Sequence, residues 1–196
     1  KRIFKKRGEI MSMVIKVSLV KIMQDLDDWE QGCYDDNGIF TQEAKDYALS
    51  HMLEFVAEFG RKLDGMIGEK VLINESGTDF HELNADLKEI SFDYYDDVCL
   101  YILINKEVDA IELNDIFLDM PKFGQFSVVY PNHVELITQS YDWGEHDTGY
   151  FADWVPEDNY IIGFANEDGS YKQNEEKPYY DEVLKTYNSA IEALLK

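Results

Sequence analysis

Residues 125–143 read QFSVVYPNHVELITQSYDW, and this stretch predicts a β-hairpin. Polar and apolar residues alternate on both sides of the dipeptide Pro131–Asn132, which is typical of a turn between two half-buried strands. The segment 159–174, NYIIGFANEDGSYKQN, repeats the pattern around the turn NEDG. We therefore predict that the C-terminal half of the chain contains two antiparallel hairpins, joined by a loop from Asp142 to Asp158.

Two more strands and two short helices are predicted upstream of this hairpin. The apolar run VCLYILIN at 98–105 indicates a buried strand, and KVLINE at 70–75 a short one. Thr78 is the predicted N-cap of a helix that carries Phe80, Leu83, Leu87 and Ile90. Another helix is expected over 110–120, where Pro121 would end it.

Helical spacing of apolar residues marks the N-terminal part and the C-terminus. Residues 14–29 predict one amphipathic helix. A second follows from the N-cap Thr41 after the loop GCYDDNGIF, and its predicted apolar face consists of Ala44, Tyr47, Ala48, Met52, Phe55, Val56, Phe59 and Leu63. A last helix is expected to start at Pro178, and its predicted face consists of Tyr180, Val183, Leu184, Tyr187, Ile191 and Leu194. The expected class is α+β: an N-terminal helical hairpin packed with a mixed or antiparallel sheet and a C-terminal helix, forming a single domain over residues 11–196.

Composition favours a folded, cytoplasmic protein. Hydrophobic residues make up 45% of the chain, enough for a core, and no apolar run is long enough to span a membrane. Cys33 and Cys99 are far apart and form no CxxC pattern, which favours reduced thiols. Residues 1–10 carry a local charge of +4 and precede Met11 and Met13, so we interpret them as a leader or untranslated sequence.

Most catalytic motifs are excluded by the residues themselves. The chain has no GxSxG, P-loop or GxGxxG sequence. HELNA at 81–85 ends in Ala85 where a zinc-binding helix needs histidine, and the stretch from Cys33 to Ala44 lacks the first and last ligands of a calcium loop. We therefore expect no cofactor, no bound metal and no enzymatic activity.

One carboxylate and histidine cluster keeps a catalytic alternative open. A metal-dependent hydrolase could use Glu145, His146, Asp147 and Asp153, with His133 as a further imidazole. A glycosidase pair could be drawn from Asp142, Asp153 or Glu157. Because the chain has 40 acidic residues, such clusters also arise by chance.

The distribution of charge is more distinctive than any motif. The net charge of the chain is −22. The 49 residues between Lys122 and Lys172 include nine carboxylates, and none of them is Lys or Arg. Residues 22–44 are also free of bases, and DYYDD at 93–97 again combines acids with tyrosines. Lysines between acids would relieve their mutual repulsion, so their absence over long spans favours a surface that is built to be negative.

This pattern of charge, size and predicted elements resembles the phage and mobile-element inhibitors that mimic DNA, the anti-restriction and anti-CRISPR proteins. The resemblance implies a non-enzymatic inhibitor that acts on a Cas nuclease, with Cas9 preferred over a restriction enzyme, and that contacts neither nucleic acid nor membrane itself. The predicted partner-binding residues are Asp142, Trp143, Glu145, Asp147, Asp153, Trp154, Glu157 and Asp158, then Asp93, Asp96 and Asp97, then Asp25, Asp27, Asp28, Asp35 and Asp36.

Two other classes share these features. An immunity protein or antitoxin would use an acidic face to block the basic active site of a nuclease toxin. An acidic domain with no partner related to nucleic acid remains the plainest alternative. The three tryptophans are interpreted as packing residues or anchors at the rim of an interface, and not as platforms for a substrate.

Overall fold

An eight-stranded antiparallel sheet organises the protein. The computed structural model describes residues 13–18, 35–37, 41–74, 79–87, 98–118, 126–146 and 149–196. The strands are β1 (Met13–Ser18), β2 (Ile67–Asn74), β3 (His81–Glu82), β4 (Cys99–Ile104), β5 (Phe126–Val129), β6 (His133–His146), β7 (Gly149–Ala165) and β8 (Tyr171–Gln173). The helices are α1 (Gln42–Lys62), α2 (Ala110–Leu118) and α3 (Asp181–Leu194).

The strand order is β3-β2-β4-β1-β5-β6-β7-β8, and neighbouring strands run antiparallel. Since helices pack on this sheet, the α+β class is confirmed. None of the helices among the described residues is both long and apolar enough to cross a membrane.

Both faces of the central strands are buried, and each face has its own core. Met13, Ile15 and Val17 of β1 belong to the core that also contains residues of α1 and α2. Val14, between them, belongs to the second core, which contains residues of α3. Because successive side chains of a strand point to opposite faces, the sheet forms the middle layer between helices.

Helix α1 begins and ends on local signals. The side chain of Thr41 accepts a hydrogen bond of 3.3 Å from the backbone N–H of Ala44, as the sequence predicted for an N-cap. The predicted apolar face is buried in the first core, and the rings of Phe55 and Phe59 stack there 5.7 Å apart. The chain leaves the helix through Asp64 and Gly65, which both have positive φ.

Helix α3 packs closely on β7 because Gly163 has no side chain. A Cβ atom at Gly163 would lie 2.7 Å from Leu184 Cδ2 and 2.9 Å from the Lys172 carbonyl oxygen, shorter than real Cβ contacts. Leu184, Tyr187 and Ile191 of α3 are buried against the sheet, as the predicted face of the last helix required.

A chain of hydrogen bonds connects β8, the β5–β6 turn, the segment before α2 and β1. The Tyr171 hydroxyl donates to the Tyr130 carbonyl oxygen, and the Tyr130 hydroxyl donates to the Val108 carbonyl oxygen at 3.4 Å. The backbone N–H of Val108 donates to Met13 Sδ at 3.0 Å. Burial raises the pKa of both tyrosines above the usual value for a phenol, so the neutral form is favoured in the folded state.

Several predicted elements agree with the structure. The hairpin around Pro131–Asn132 is β5–β6, the hairpin around NEDG is β7–β8, and the apolar run 98–105 contains β4. The short strand predicted at 70–75 is the second half of β2, and the helix predicted over 110–120 is α2.

Other predicted elements were wrong. The helix predicted over 14–29 is a strand as far as Ser18, because β1 lies between β4 and β5 and its β-branched residues fill both cores; residues 19–34 lie outside the described part. The N-terminal helical hairpin is therefore not confirmed. The helix predicted after Thr78 is replaced over 79–87 by β3 and a turn. Helix α3 begins at Asp181, three residues after Pro178.

Candidate partner-binding surface

The most acidic stretch of the chain forms the distal part of a long β-hairpin. β6 and β7 pair from His133 opposite Phe164 to His146 opposite Gly149. The pairing of β5 with β6 stops at Ile137, and that of β8 with β7 stops at Gly163. Beyond these points, no other strand of the described residues pairs with either one. We call residues 139–146 and 149–158 the acidic ribbon.

The loop predicted from Asp142 to Asp158 was therefore wrong. Residues 141–146 and 149–158 are in strands, and the two strands pair residue by residue from Gln139 opposite Pro156 to His146 opposite Gly149. The glycines and the proline of this segment suggested a loop, yet cross-strand pairing accommodates them. The ribbon is about 25 Å long, from eight residues at a rise of roughly 3.3 Å each.

Register decides which predicted site residues come together. Asp142 lies directly opposite Asp153, Trp143 opposite Ala152 and Glu145 opposite Tyr150. Tyr141 is likewise paired with Trp154. Since like charges placed opposite each other oppose pairing, the Asp142 and Asp153 pair is unfavourable for the isolated ribbon.

A register shift separates the ribbon from the rest of the sheet. Ile137 pairs with Asn159 but Gln139 pairs with Pro156, so Glu157 and Asp158 together face the single residue Thr138. Two residues opposite one define a β-bulge, which bends a strand and changes the direction of its side chains. Two predicted contact residues thus lie at the base of the ribbon.

The register does not support the proposed hydrolase cluster. Glu145 and His146 are consecutive residues of β6, and consecutive strand positions belong to opposite faces of a sheet. Asp153 is paired with Asp142, which lies four residues from His146. That offset corresponds to about 13 Å along the strand. Asp147 lies outside the described residues. Within the described part of the chain, no three His, Cys, Asp or Glu side chains are grouped to hold a metal.

The imidazole ring of His133 contacts three neighbouring side chains. Its Nδ1 lies 2.7 Å from Asn132 Oδ1, its Nε2 lies 2.9 Å from Glu135 Oε1, and its ring stacks on Tyr130 at 4.6 Å. Both imidazole nitrogens are engaged within the turn and strand that carry them. His133 therefore orders the β5–β6 turn instead of offering a metal ligand.

Two other predicted clusters are only partly described. Asp35 Oδ1 accepts a hydrogen bond of 2.8 Å from the backbone N–H of Asn37, and Asp35 and Asp36 are both exposed in this turn. Asp25, Asp27, Asp28, Asp93, Asp96 and Asp97 lie outside the described residues.

A further acidic surface was missed by the sequence analysis. Residues 174–182, NEEKPYYDE, comprise the connection between β8 and α3 and the first two residues of α3. They carry four exposed carboxylates, on Glu175, Glu176, Asp181 and Glu182. We call it the 174–182 surface. The signal was present in the sequence, because these residues repeat the combination of acids and paired tyrosines seen in DYYDD.

Lysines near the 174–182 surface are engaged by neighbouring groups. Lys185 Nζ lies 2.9 Å from Asp181 Oδ2 and 2.6 Å from Glu182 Oε1, and these bonds raise the lysine pKa. Lys177 Nζ lies 4.3 Å from the centre of the Tyr160 ring, a cation–π contact. The surface thus remains predominantly negative.

Comparison with protein-family models, curated proteins and solved structures finds no match to this chain. The function is therefore inferred from the chemistry of these surfaces.

Proposed function

We propose that this protein is a non-enzymatic inhibitor that binds the basic nucleic-acid-binding channel of a nucleic-acid-processing enzyme. The observation that carries the proposal is the register of β6 and β7, which turns the acidic stretch into a two-stranded ribbon paired beyond the sheet. A ribbon can enter a channel as an extended element, whereas a loop of the same composition lacks a fixed spacing of charges.

The ribbon also has the chemistry that such a channel selects. Its strands carry Asp142, Glu145 and Asp153, with Glu157 and Asp158 at the bulge, and Lys or Arg occur nowhere in it. Arginines of a channel normally hold phosphates, and they bind carboxylates with the same bidentate geometry. An arginine between the facing Asp142 and Asp153 would relieve their repulsion.

Stability of the ribbon gives a second reason to expect a partner. An isolated two-stranded hairpin is marginally stable in water, and facing aspartates weaken it further. Docking in a basic channel supplies both the missing packing and the missing countercharge. The sequence places tryptophans at 143 and 154, residues that are enriched in the energetic centres of interfaces.

Among possible targets we propose a Cas nuclease, with Cas9 first, because of the resemblance to anti-CRISPR proteins. The inhibitor would then compete with the guide, the PAM duplex or the target DNA for positive surface. Opposite net charges would make association fast and sensitive to salt.

The test replaces Asp153, Glu157 and Asp158 with lysine and measures inhibition of Cas9 cleavage with guide RNA present. Each lost charge-assisted contact is worth roughly 1.5 kcal/mol, so the triple variant should inhibit at least about 100-fold less well. The dependence of affinity on salt should also become weaker.

A matched control reverses three exposed acids elsewhere, Asp79, Asp86 and Asp115, which changes the net charge by the same amount. Equal losses in both variants would show that total charge, and not the ribbon, determines binding. If wild-type protein inhibits a nuclease toxin and leaves Cas9 active, the immunity-protein class replaces the Cas inhibitor.

A further inference from the structure

Tyr179 combines full exposure with an unfavourable backbone conformation. Its relative exposure is 92%, and its φ is +97°. Bulky residues are strongly disfavoured at positive φ, a region that glycine occupies without steric penalty. Because the Tyr179 ring is in solvent, its packing does not offset this cost, and a backbone outlier of this kind motivates a hypothesis of function.

Two hydrogen bonds hold the chain on the N-terminal side of Tyr179. The Asn174 side-chain amide donates to the Ile161 carbonyl oxygen at 2.8 Å, and its backbone N–H donates to the Ile162 carbonyl oxygen at 2.9 Å. These two bonds attach the start of the connection to β7. They also place the connection close to the base of the acidic ribbon, which ends at Asp158.

The other side of Tyr179 is attached as well. Tyr180 packs against the second core, and its carbonyl oxygen accepts a bond of 3.0 Å from the Leu184 N–H in the first turn of α3. Lys177 lies over the Tyr160 ring. The chain is thus attached on both sides of Tyr179, and the Tyr179 ring lies in solvent.

The surroundings of Tyr179 specify the chemistry of a partner. The four carboxylates of the 174–182 surface are exposed, and Lys177 and Lys185 are engaged as described above. A guanidinium group can stack on an aromatic ring while its N–H groups pair with carboxylates, which an apolar or acidic partner cannot do. Charge complementarity therefore selects a basic partner rich in arginine.

We propose that Tyr179 is an anchor for an arginine of the partner, and that the 174–182 surface is a second contact beside the acidic ribbon. This inference rests on the proposed function, since it assigns both contacts to the same basic protein. An exposed tyrosine among acids supplies the stacking energy that carboxylates lack, and the fixed backbone lowers the entropy lost on binding.

The experiment compares the wild type with Tyr179→Gly and Tyr179→Phe in binding to fluorescent deca-arginine and deca-lysine peptides at one salt concentration. Tyr179→Gly should bind deca-arginine roughly 2- to 5-fold more weakly, with a smaller change for deca-lysine, because guanidinium stacking is lost. Tyr179→Phe retains the ring and should bind as the wild type does. Ile111→Ala, at an apolar position that is 74% exposed on α2, is the control.

Stability separates an anchor from a structural residue. The urea midpoint of Tyr179→Gly should equal or exceed that of the wild type, since glycine removes the strain at positive φ. Unchanged affinity for deca-arginine, or weaker binding together with a lower urea midpoint, would overturn the proposal.

The peptide assay also keeps the two proposals distinguishable. If lysine substitutions in the ribbon leave nuclease inhibition intact, the proposed function fails, whatever the peptides show. If those substitutions abolish inhibition while Tyr179→Gly binds deca-arginine normally, the second contact alone is rejected.

Discussion

Gly163 lies where β7 passes beneath α3, and adding one methyl group there should destabilise the fold. The new Cβ would lie 2.7 Å and 2.9 Å from the two Cδ atoms of Leu184 and 2.9 Å from the Lys172 carbonyl oxygen. Leu184 is 2% exposed, so its side chain has little room to move. The carbonyl belongs to β8, which pairs with β7 at this position, so the backbone must shift as well.

The magnitude follows from two opposing effects. Overpacking a core by one methyl group costs about 2 to 3 kcal/mol, and the lower unfolded-state entropy of alanine returns about 0.5 to 1 kcal/mol. Gly163→Ala should therefore lower the free energy of unfolding by about 1 to 2.5 kcal/mol. For a chain of this length the expected fall in Tm is about 2 to 10 °C. Urea unfolding followed by far-UV circular dichroism measures the change.

A double-mutant cycle tests the cause. Leu184→Ala alone should cost about 2 to 5 kcal/mol, and in that background Gly163→Ala should cost less, because only the Lys172 carbonyl contact remains. Gly65→Ala is the control: no atom lies within 4 Å of its added Cβ, but its φ is +74°, so its cost should not depend on Leu184. A neutral Gly163→Ala, or strict additivity with Leu184→Ala, would show that close packing against Leu184 does not require glycine at this position.

Two further predictions concern single hydrogen bonds. Thr41→Ala should lower stability by about 1 kcal/mol in urea unfolding, because the Ala44 N–H loses its acceptor, and Thr41→Ser should restore it. Tyr171→Phe should cost about 1 kcal/mol, since its hydroxyl donates to the Tyr130 carbonyl. Burial raises the pKa of Tyr171 above its value in the unfolded chain, which is about 10. Ionisation of this tyrosine in the unfolded state therefore lowers the free energy of unfolding progressively above about pH 10. Tyr171→Phe lacks the ionisable group and should lose less stability than the wild type between about pH 10 and 12.

Elements with local signals were predictable from sequence. The N-cap Thr41 and the apolar spacing after it identify α1, and Pro131–Asn132 between alternating strands identifies the β5–β6 hairpin. In each case the residues that determine the conformation lie close together in sequence. Burial of the predicted face of α3 follows from the same periodicity, although the helix begins later than Pro178 suggested.

β1 shows where periodicity is insufficient. Ile15 and Leu19 have helical spacing, but Met13–Ser18 pairs with β4 on one side and β5 on the other. A strand buried on both faces has few polar residues to reveal a period of two, so its short apolar run fits either structure. Its partners are about 85 and 110 residues away in sequence, and no local feature specifies them.

The acidic ribbon was missed for a related reason. Residues 141–160 contain Gly144, Gly149 and Pro156, which locally favour a loop, and six carboxylates, which disfavour strands. Pairing of β6 with β7 continues from the well-packed base at Val134 and Gly163 and extends outward. The charge pattern identified the candidate residues, whereas their alignment in facing positions depends on a register that the composition does not contain.

Two features of this protein oppose its own stability, one in the acidic ribbon of β6 and β7 and the other in the connection between β8 and α3. Asp142 faces Asp153 across the ribbon, and Tyr179 occupies positive φ in a connection that is hydrogen-bonded to residues 161 and 162. Each violates a local preference that a simple substitution, to asparagine or to glycine, would satisfy. Violations of this kind are expected at functional sites, where the cost in stability is offset by binding. A basic partner rich in arginine would supply countercharge to Asp142 and Asp153 and would stack a guanidinium group on Tyr179, so a single ligand chemistry would account for both features.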